Sequence, residues 1–317
     1  MPKVNLSSNG AFSGTFANCP SLESIDLNGV TMLGETENTF NCFNSTFMND
    51  TKLNNVNLNN LIPVNVPNNT FYMTFKNCTA LTYNPINISY IESVGDRAFE
   101  GTFENSGLSG IISFDSLRIA TASNNQGKFG NCFYGTPNLE EISFPVLEEG
   151  IDAGSSYIPG RRYFSRMAVS SGIRKISFPQ LKTNNIGSCF SQMCVNCANL
   201  TDIDFSSLET TSSLGLDFQE TFYKCVSLEE VSFPALKNIP GANTFKNTFY
   251  NCPNLKKVYF NNLETAHASA FDVMFNSQCT NLTEVHFPVS SQSLVESLTG
   301  YASKFGAPST CQILFDL

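Results

Sequence analysis

The stretch Phe245-x-x-x-Phe249-x-x-Cys252-x-x-Leu255-x-x-Val258-x-Phe260-x-x-Leu263 decides the architecture, because the chain has just said the same thing. Immediately before it stands Phe218-x-x-x-Phe222-x-x-Cys225-x-x-Leu228-x-x-Val231-x-Phe233-x-x-Leu236. With the second Phe of each copy as origin, the pattern returns at Phe16, Phe47, Phe75, Phe103, Phe133, Met167, Cys194, Phe222, Phe249 and Phe275. Self-similarity at a steady period marks stacked units, none of which can bury its apolar face alone. A chain of 317 residues would otherwise divide into two or three globular domains, but a solenoid lengthens by adding units to one core.

Each unit can be read in parts. Four residues before the origin stands Phe12, Phe43, Phe71, Phe99, Phe129, Tyr163, Phe190, Phe218, Phe245 or Phe271, and an i, i+4 pair predicts a short helical turn. Downstream, Leu139-x-x-Ile142-x-Phe144 alternates apolar and polar residues, the period of a strand with one buried face. Pro145, Pro179, Pro234 and Pro288 follow such strands and end them. A second apolar pair, such as Leu236-x-x-Ile239, leads into the next unit. The three aromatic positions of the unit take 24 of the 28 Phe, so the Phe content is explained by packing. Cys19, Cys78, Cys197, Cys225 and Cys252 share one position, three residues after the origin, which reads as a rung of small buried side chains. The fold class expected is an α/β repeat, a solenoid of about ten coils with a parallel β-sheet on its concave face.

The run Leu-x-x-Ile-x-Phe-Pro-x-Leu-x-x-Ile, followed by Phe and Asn-Cys-x-x-Leu, resembles the BspA-like (treponemal-type) leucine-rich repeat family, best over Leu228 to Leu255 and Leu255 to Leu282. The resemblance implies a right-handed leucine-rich-repeat solenoid, and a bacterial or parasite surface protein engaged in adhesion to host components or other cells. The units here are longer, with the added Phe-x-x-x-Phe turn. The N-terminus, Met1 to Leu6, has neither a basic nor an apolar region of a signal peptide. Lys3 to Leu6 reads as the strand of a coil whose first half is missing, so the expectation is either a piece of a longer protein or a packing partner on that bare coil. Residues 291–317, with a short helix at Ser293–Leu298 and a strand at Cys311–Phe315, read as a cap on a solenoid spanning 1–290.

Composition narrows function more than it defines it. A formal net charge of −9 disfavours nucleic acid as a partner, and no apolar run reaches the roughly 18 residues of a membrane span. Cys194 and Cys197, with Cys189 before them, lack a second ligand pair, so no metal or cofactor is called for. The two histidines, His267 and His286, have no evident nucleophile to serve. Asp202 and Asp204 emerge on one strand face, where the least favoured reading would make them a glycoside hydrolase pair. The expectation is therefore a non-enzymatic binding solenoid for a protein or glycan on a host or neighbouring cell, extracellular, cell-surface or on a virion appendage. The alternative is a structural spacer or assembly module of a larger surface or phage fibre.

Two places are singled out for binding. The first is the strand face, where Asp202, Asp204, Lys257, Tyr259 and His286 are read as exposed. The second is the overlong interval between Leu147 and Met167, which gathers Tyr157, Arg161, Arg162 and Arg166 in an acidic chain and suits an acidic partner.

Overall fold

A computed structural model describes residues 4–6, 10–27, 30–32, 41–118, 127–150 and 163–317. It is a parallel-strand solenoid with little helix. Three hydrogen-bonded strips run along the stack, and the side chains that point inward from all three form one core.

The first strip is the expected strand ladder. Ser109–Ser113, Asn138–Ser143, Lys175–Ser177 and Asp202–Asp204 pair in parallel, each with the next. Glu230–Ser232, Lys257–Tyr259, Glu284–Phe287 and Gln312–Phe315 do the same. About eight turns thus carry a true strand, rather than the ten expected. The earlier coils hold the strip by the isolated bridge Ser24–Asn55 and by single bonds such as Leu58 N–H to the Pro85 carbonyl, 3.0 Å. Pro85 has no amide hydrogen to give, and its coil forms no regular strand there.

The second strip is a ladder of two-residue pairings, such as Asn238–Ile239 with Thr265–Ala266, continued by bridges through Thr210. Val4–Leu6, expected in the first strip, pairs instead with Val30–Met32, a strand that begins where Val30 bonds back to the Leu27 carbonyl. Leu236 bonds back to Phe233 in the same way where its coil leaves the first strip.

The third strip corrects the expected helical turn. Along 43–50 the amides alternate. Thr46, Met48 and Asp50 bond back three residues, to Phe43, Ser45 and Phe47. Phe43, Ser45, Phe47 and Asn49 bond forward to Thr70, Tyr72, Thr74 and Lys76 of the next coil. An α-helix would consume every amide internally, whereas this chain of turns keeps every second one for its neighbour. The geometry needs a left-handed residue every fourth position: Asn41, Ser45 and Asn49, then Asn69, Met73 and Asn77. Asn is the non-glycine residue best suited to that region, which explains the asparagine content of these turns. True α-helix is confined, among the described residues, to Gln292–Ser297, close to the expected 293–298.

Phe rings stack along the core in continuous columns. Phe43, Phe71, Phe99, Phe129, Phe164, Phe190, Phe218, Phe245 and Phe271 form one, with neighbouring centroids 5.0–5.7 Å apart. Phe164, not Tyr163, is the first anchor of the sixth coil, counted from Phe12. The bonds agree: Phe133 N–H reaches the Met167 carbonyl and Ala168 N–H the Met193 carbonyl, so Ala168 is the second anchor of that coil. The register there is one residue later than the sequence pattern implied.

The cysteine rung is real and polar as well as apolar. Cys78, Cys197, Cys225, Cys252 and Cys279 each donate from Sγ to a carbonyl one coil back: Phe47, Ala168, Cys194, Phe222 and Phe249, at 2.9–3.1 Å. Thr46, Thr74, Thr102, Thr221 and Thr248 do likewise from their hydroxyls, to the carbonyl of the preceding coil's first anchor. All eleven cysteines are free, and Cys19, expected to be buried, is exposed.

Candidate binding surface

Strand parity sends every second side chain of the first strip outward, and parallel register lines these up in columns. One column runs Ile111, Glu141, Lys175, Asp202, and further on Glu230, Lys257, Glu284, Gln312. Its charges alternate in sign along much of the stack. The parallel column is Ser113, Ser143, Ser177, Asp204, then Ser232, Tyr259, His286, Leu314.

Asp202 and Asp204 do share the outward face. Asp202 is exposed and accepts from the Thr201 hydroxyl at 2.8 Å. Asp204 is half-buried and accepts from the Ser177 hydroxyl at 3.2 Å and the Ser206 amide at 3.0 Å. Both carboxylates are thus engaged by local donors of the strip itself.

Lys257, Tyr259 and His286 come together two and three strands further on. Lys257 Nζ lies 2.8 Å from Glu284 Oε2, and this bond, then that from His286, holds the Glu284 carboxyl below its usual range. His286 is a correction: parity puts it on the outward face, but only 7% of it is exposed. Tyr259 stacks on its ring at 4.5 Å, Glu284 Oε2 lies 2.9 Å from Nε2, and Asp316 Oδ1 lies 2.8 Å from Nδ1. It joins the last two strands of the strip and is not a free contact residue.

Of the loop cluster, Tyr157, Arg161 and Arg162 lie outside the described residues. Arg166 belongs to the third strip. Its guanidinium carbon is 5.9 Å from the Tyr134 ring centroid, and it donates to Asn131 Oδ1 at 3.3 Å and Gln192 Oε1 at 3.4 Å. It is therefore on a different wall from Asp202 and Asp204.

The strand face has a feature that the sequence reading missed. Where the coil of Pro85 forms no strand, a hollow of about 390 Å³ opens, lined by Asn59, Asn84, Ile86, Asn87, Ile88, Ser89, Ile111, Ile112, Ser113 and Asp115. Ile111 is 62% exposed at its edge. Asn87 Oδ1 accepts from the Ser89 amide and hydroxyl, which fixes the loop on that rim. A second hollow of about 370 Å³ lies among Ser24, Asp26, Asn55 and Asn57. The available signal was Pro85 itself, at a position that should donate to a ladder.

Also unforeseen is a buried ion pair. Lys128, fully buried, reaches Asp96 Oδ1 at 2.8 Å and lies 5.3 Å from the Tyr163 ring centroid.

Comparison with known protein families agrees with this architecture. The model of the BspA type leucine-rich repeat region matches in six copies, over residues 13–155, 129–272 and 193–302. Among solved structures, a leucine-rich repeat protein from Bacteroides ovatus is similar over 99% of this chain and 88% of its own, at 15% identity and TM-score 0.28. A leucine rich cell surface protein from Faecalibacterium prausnitzii is similar over 86% of this chain and 75% of its own, at 15% identity and TM-score 0.30. No curated protein matches. Among the described residues no helix is long and apolar enough to cross a membrane.

Proposed function

The chain belongs to the BspA-type leucine-rich repeat family, and from that premise we propose that it is a binding and adhesion scaffold that recognises a cell-surface protein or glycan through its strand face. Leucine-rich-repeat solenoids are generally non-enzymatic, and the reading here is of a protein that holds its ligand without transforming it. Extracellular or surface display goes with this role.

The observation that carries the reading is the hollow beside Ile111. On the strands further along, outward side chains bond across coils, as Ser177 does to Asp204 at 3.2 Å and Lys257 to Glu284 at 2.8 Å. At the break, amides and hydroxyls surround an exposed aliphatic side chain, the combination of oriented polar groups and apolar floor found in ligand sites. Solenoids use such extended faces for binding.

The test is to screen the full chain against extracellular-matrix proteins and a panel of surface glycans, then to repeat the screen with Ile111→Glu. Loss of about tenfold or more in affinity for a retained ligand supports the reading, with Gln219→Ala on the third strip as an unaffected control. Unchanged binding by Ile111→Glu refutes it, as does a chain that binds only other copies of itself.

A further inference from the structure

The third strip carries a different kind of site, at a place where its own rule is broken. Two residues past the second anchor, the left-handed position holds Asn18, Asn49, Asn77, Asn105, Gly135, Ser170, Asn196 and Asn251, but in the eighth coil it holds Lys224, at φ 61°. The asparagines are there for a reason beyond backbone conformation. Asn49 Nδ2 donates to Asn18 Oδ1 at 2.7 Å, Asn77 to Asn49 at 2.6 Å, and Asn105 to Asn77 at 3.2 Å. Even the glycine fits this scheme, because a Cβ at Gly135 would stand 2.2 Å from Asn105 Oδ1.

Lys224 forgoes that ladder. An unbranched cationic side chain in the left-handed region has neither the intrinsic tolerance of Asn nor its amide bonds, so it is a strained choice at this point. Among the described residues its ammonium makes no ion pair and no hydrogen bond. It is held 5.4 Å from the centroid of the Tyr223 ring, and that ring stacks on Tyr250 at 5.4 Å.

The cation lines a shallow hollow of about 400 Å³, shared with Asn196, Val226, Asn251, Pro253 and Gln278. The size falls within the range of small-molecule sites. Asn251 Oδ1 accepts from Asn276 Nδ2 at 2.8 Å, and among the described residues its own Nδ2 hydrogens have no partner. Asn196 gives its Nδ2 to Ser170 at 3.1 Å and keeps its carbonyl oxygen. Val226 is 38% exposed and, with Pro253, supplies an apolar floor. The site therefore offers one unpaired cation, amide donors and an amide acceptor, and a small aliphatic patch.

We propose that this hollow binds a carboxylate-bearing sugar, such as a uronic acid residue of a glycan. The carboxylate sits on the Lys224 ammonium, the ring hydroxyls bond to Asn196, Asn251 and Gln278, and the C–H face of the ring lies on Val226 and Pro253. In a chain of net charge −9, an unpaired cation in a pocket is a specific arrangement for an anion. The site is on another wall from the strand face and does not depend on the strand-face reading.

The test is NMR titration of the full chain with glucuronate, and in parallel with glucose and acetate. Glucuronate is expected to shift the amides of Lys224, Asn251 and Gln278 with a Kd of about 1–10 mM, with glucose and acetate each weaker by about tenfold. Lys224→Asn restores the residue that the ladder uses elsewhere, so it should fold at least as well and lose glucuronate binding about tenfold or more. Ile111→Glu should leave that binding unchanged, which separates this site from the strand face. The proposal is overturned if glucuronate causes no saturable shifts at these residues, if acetate binds as well as glucuronate, or if Lys224→Asn binds it undiminished.

Discussion

Asp50 occupies the position that cysteine takes in other coils, and replacing it with cysteine should stabilise the protein in a pH-dependent way. The carboxyl is fully buried; Oδ1 accepts the Cys19 amide at 2.7 Å, while Oδ2 has no partner. Burial pushes the group up to about 6 from an ordinary value of 3.8, against the lowering effect of the Cys19 amide. The folded state therefore holds a proton that the unfolded chain has released, over the window between those values. Stability is highest below the lower value, falls as pH rises through the window, and levels off above about 6. A shift of about two units corresponds to about 3 kcal/mol at pH 7. Asp50→Cys removes this penalty and places a thiol where it can donate to the Phe16 carbonyl, as Cys78 donates to Phe47. The variant should gain about 2–3 kcal/mol at pH 7. The gain should shrink steadily as the pH is lowered to about 4, where the native carboxyl is protonated. Urea unfolding followed by far-ultraviolet circular dichroism, at several pH values between those limits, measures both. Other carboxylates titrate alike in the two proteins and cancel in the difference. Parallel stability–pH curves for variant and parent would refute the reasoning.

Two further predictions address the core and the turns. Phe245 is fully buried, stacks on Phe218 and Phe271, and meets Phe233 and Phe260 edge-on, so Phe245→Ala should cost about 3–5 kcal/mol in the same urea experiment. Asn77→Ala loses two ladder bonds at φ 63° and should cost about 1–3 kcal/mol, whereas Asn77→Gly, free of the backbone strain, should cost measurably less. Equal losses for the two would mean that the left-handed conformation carries no penalty there.

Much of the fold could be read from residue types, because Phe and Leu at fixed offsets leave little choice about what is inside. The failures have specific causes. A single Phe-x-x-x-Phe pair cannot distinguish a period of 3.6 from one of 4.0, and the clue lay outside it, in Asn69 and Asn77 on either side of Phe71 and Phe75. In the sixth coil Tyr163 and Phe164 are adjacent aromatics, and Ala168 is too small to announce an anchor. The bonds from Phe133 to the Met167 carbonyl and from Ala168 to the Met193 carbonyl set the register, together with the stacking of Phe164 on Phe129 and Phe190. Parity correctly put His286 on the outward face, but Asp316, thirty residues later, closes over it, and spacing within a repeat carries no information about that. The strand-face columns were legible residue by residue. The hollow beside Ile111 and the cation at Lys224 were not, since each arises where one coil departs from its neighbours.

The alternation of amides along the turns has a mechanical consequence. In all three strips the bonds between coils point along the long axis of the stack, so a pull that separates its two ends acts along those bonds rather than across them. Layers then bear the load in series, and the weakest interface yields while the rest stay intact. Stretched from its ends, the molecule should give way one coil at a time, in a sawtooth of small ruptures. A tether of that kind dissipates force over a long extension instead of failing in a single event.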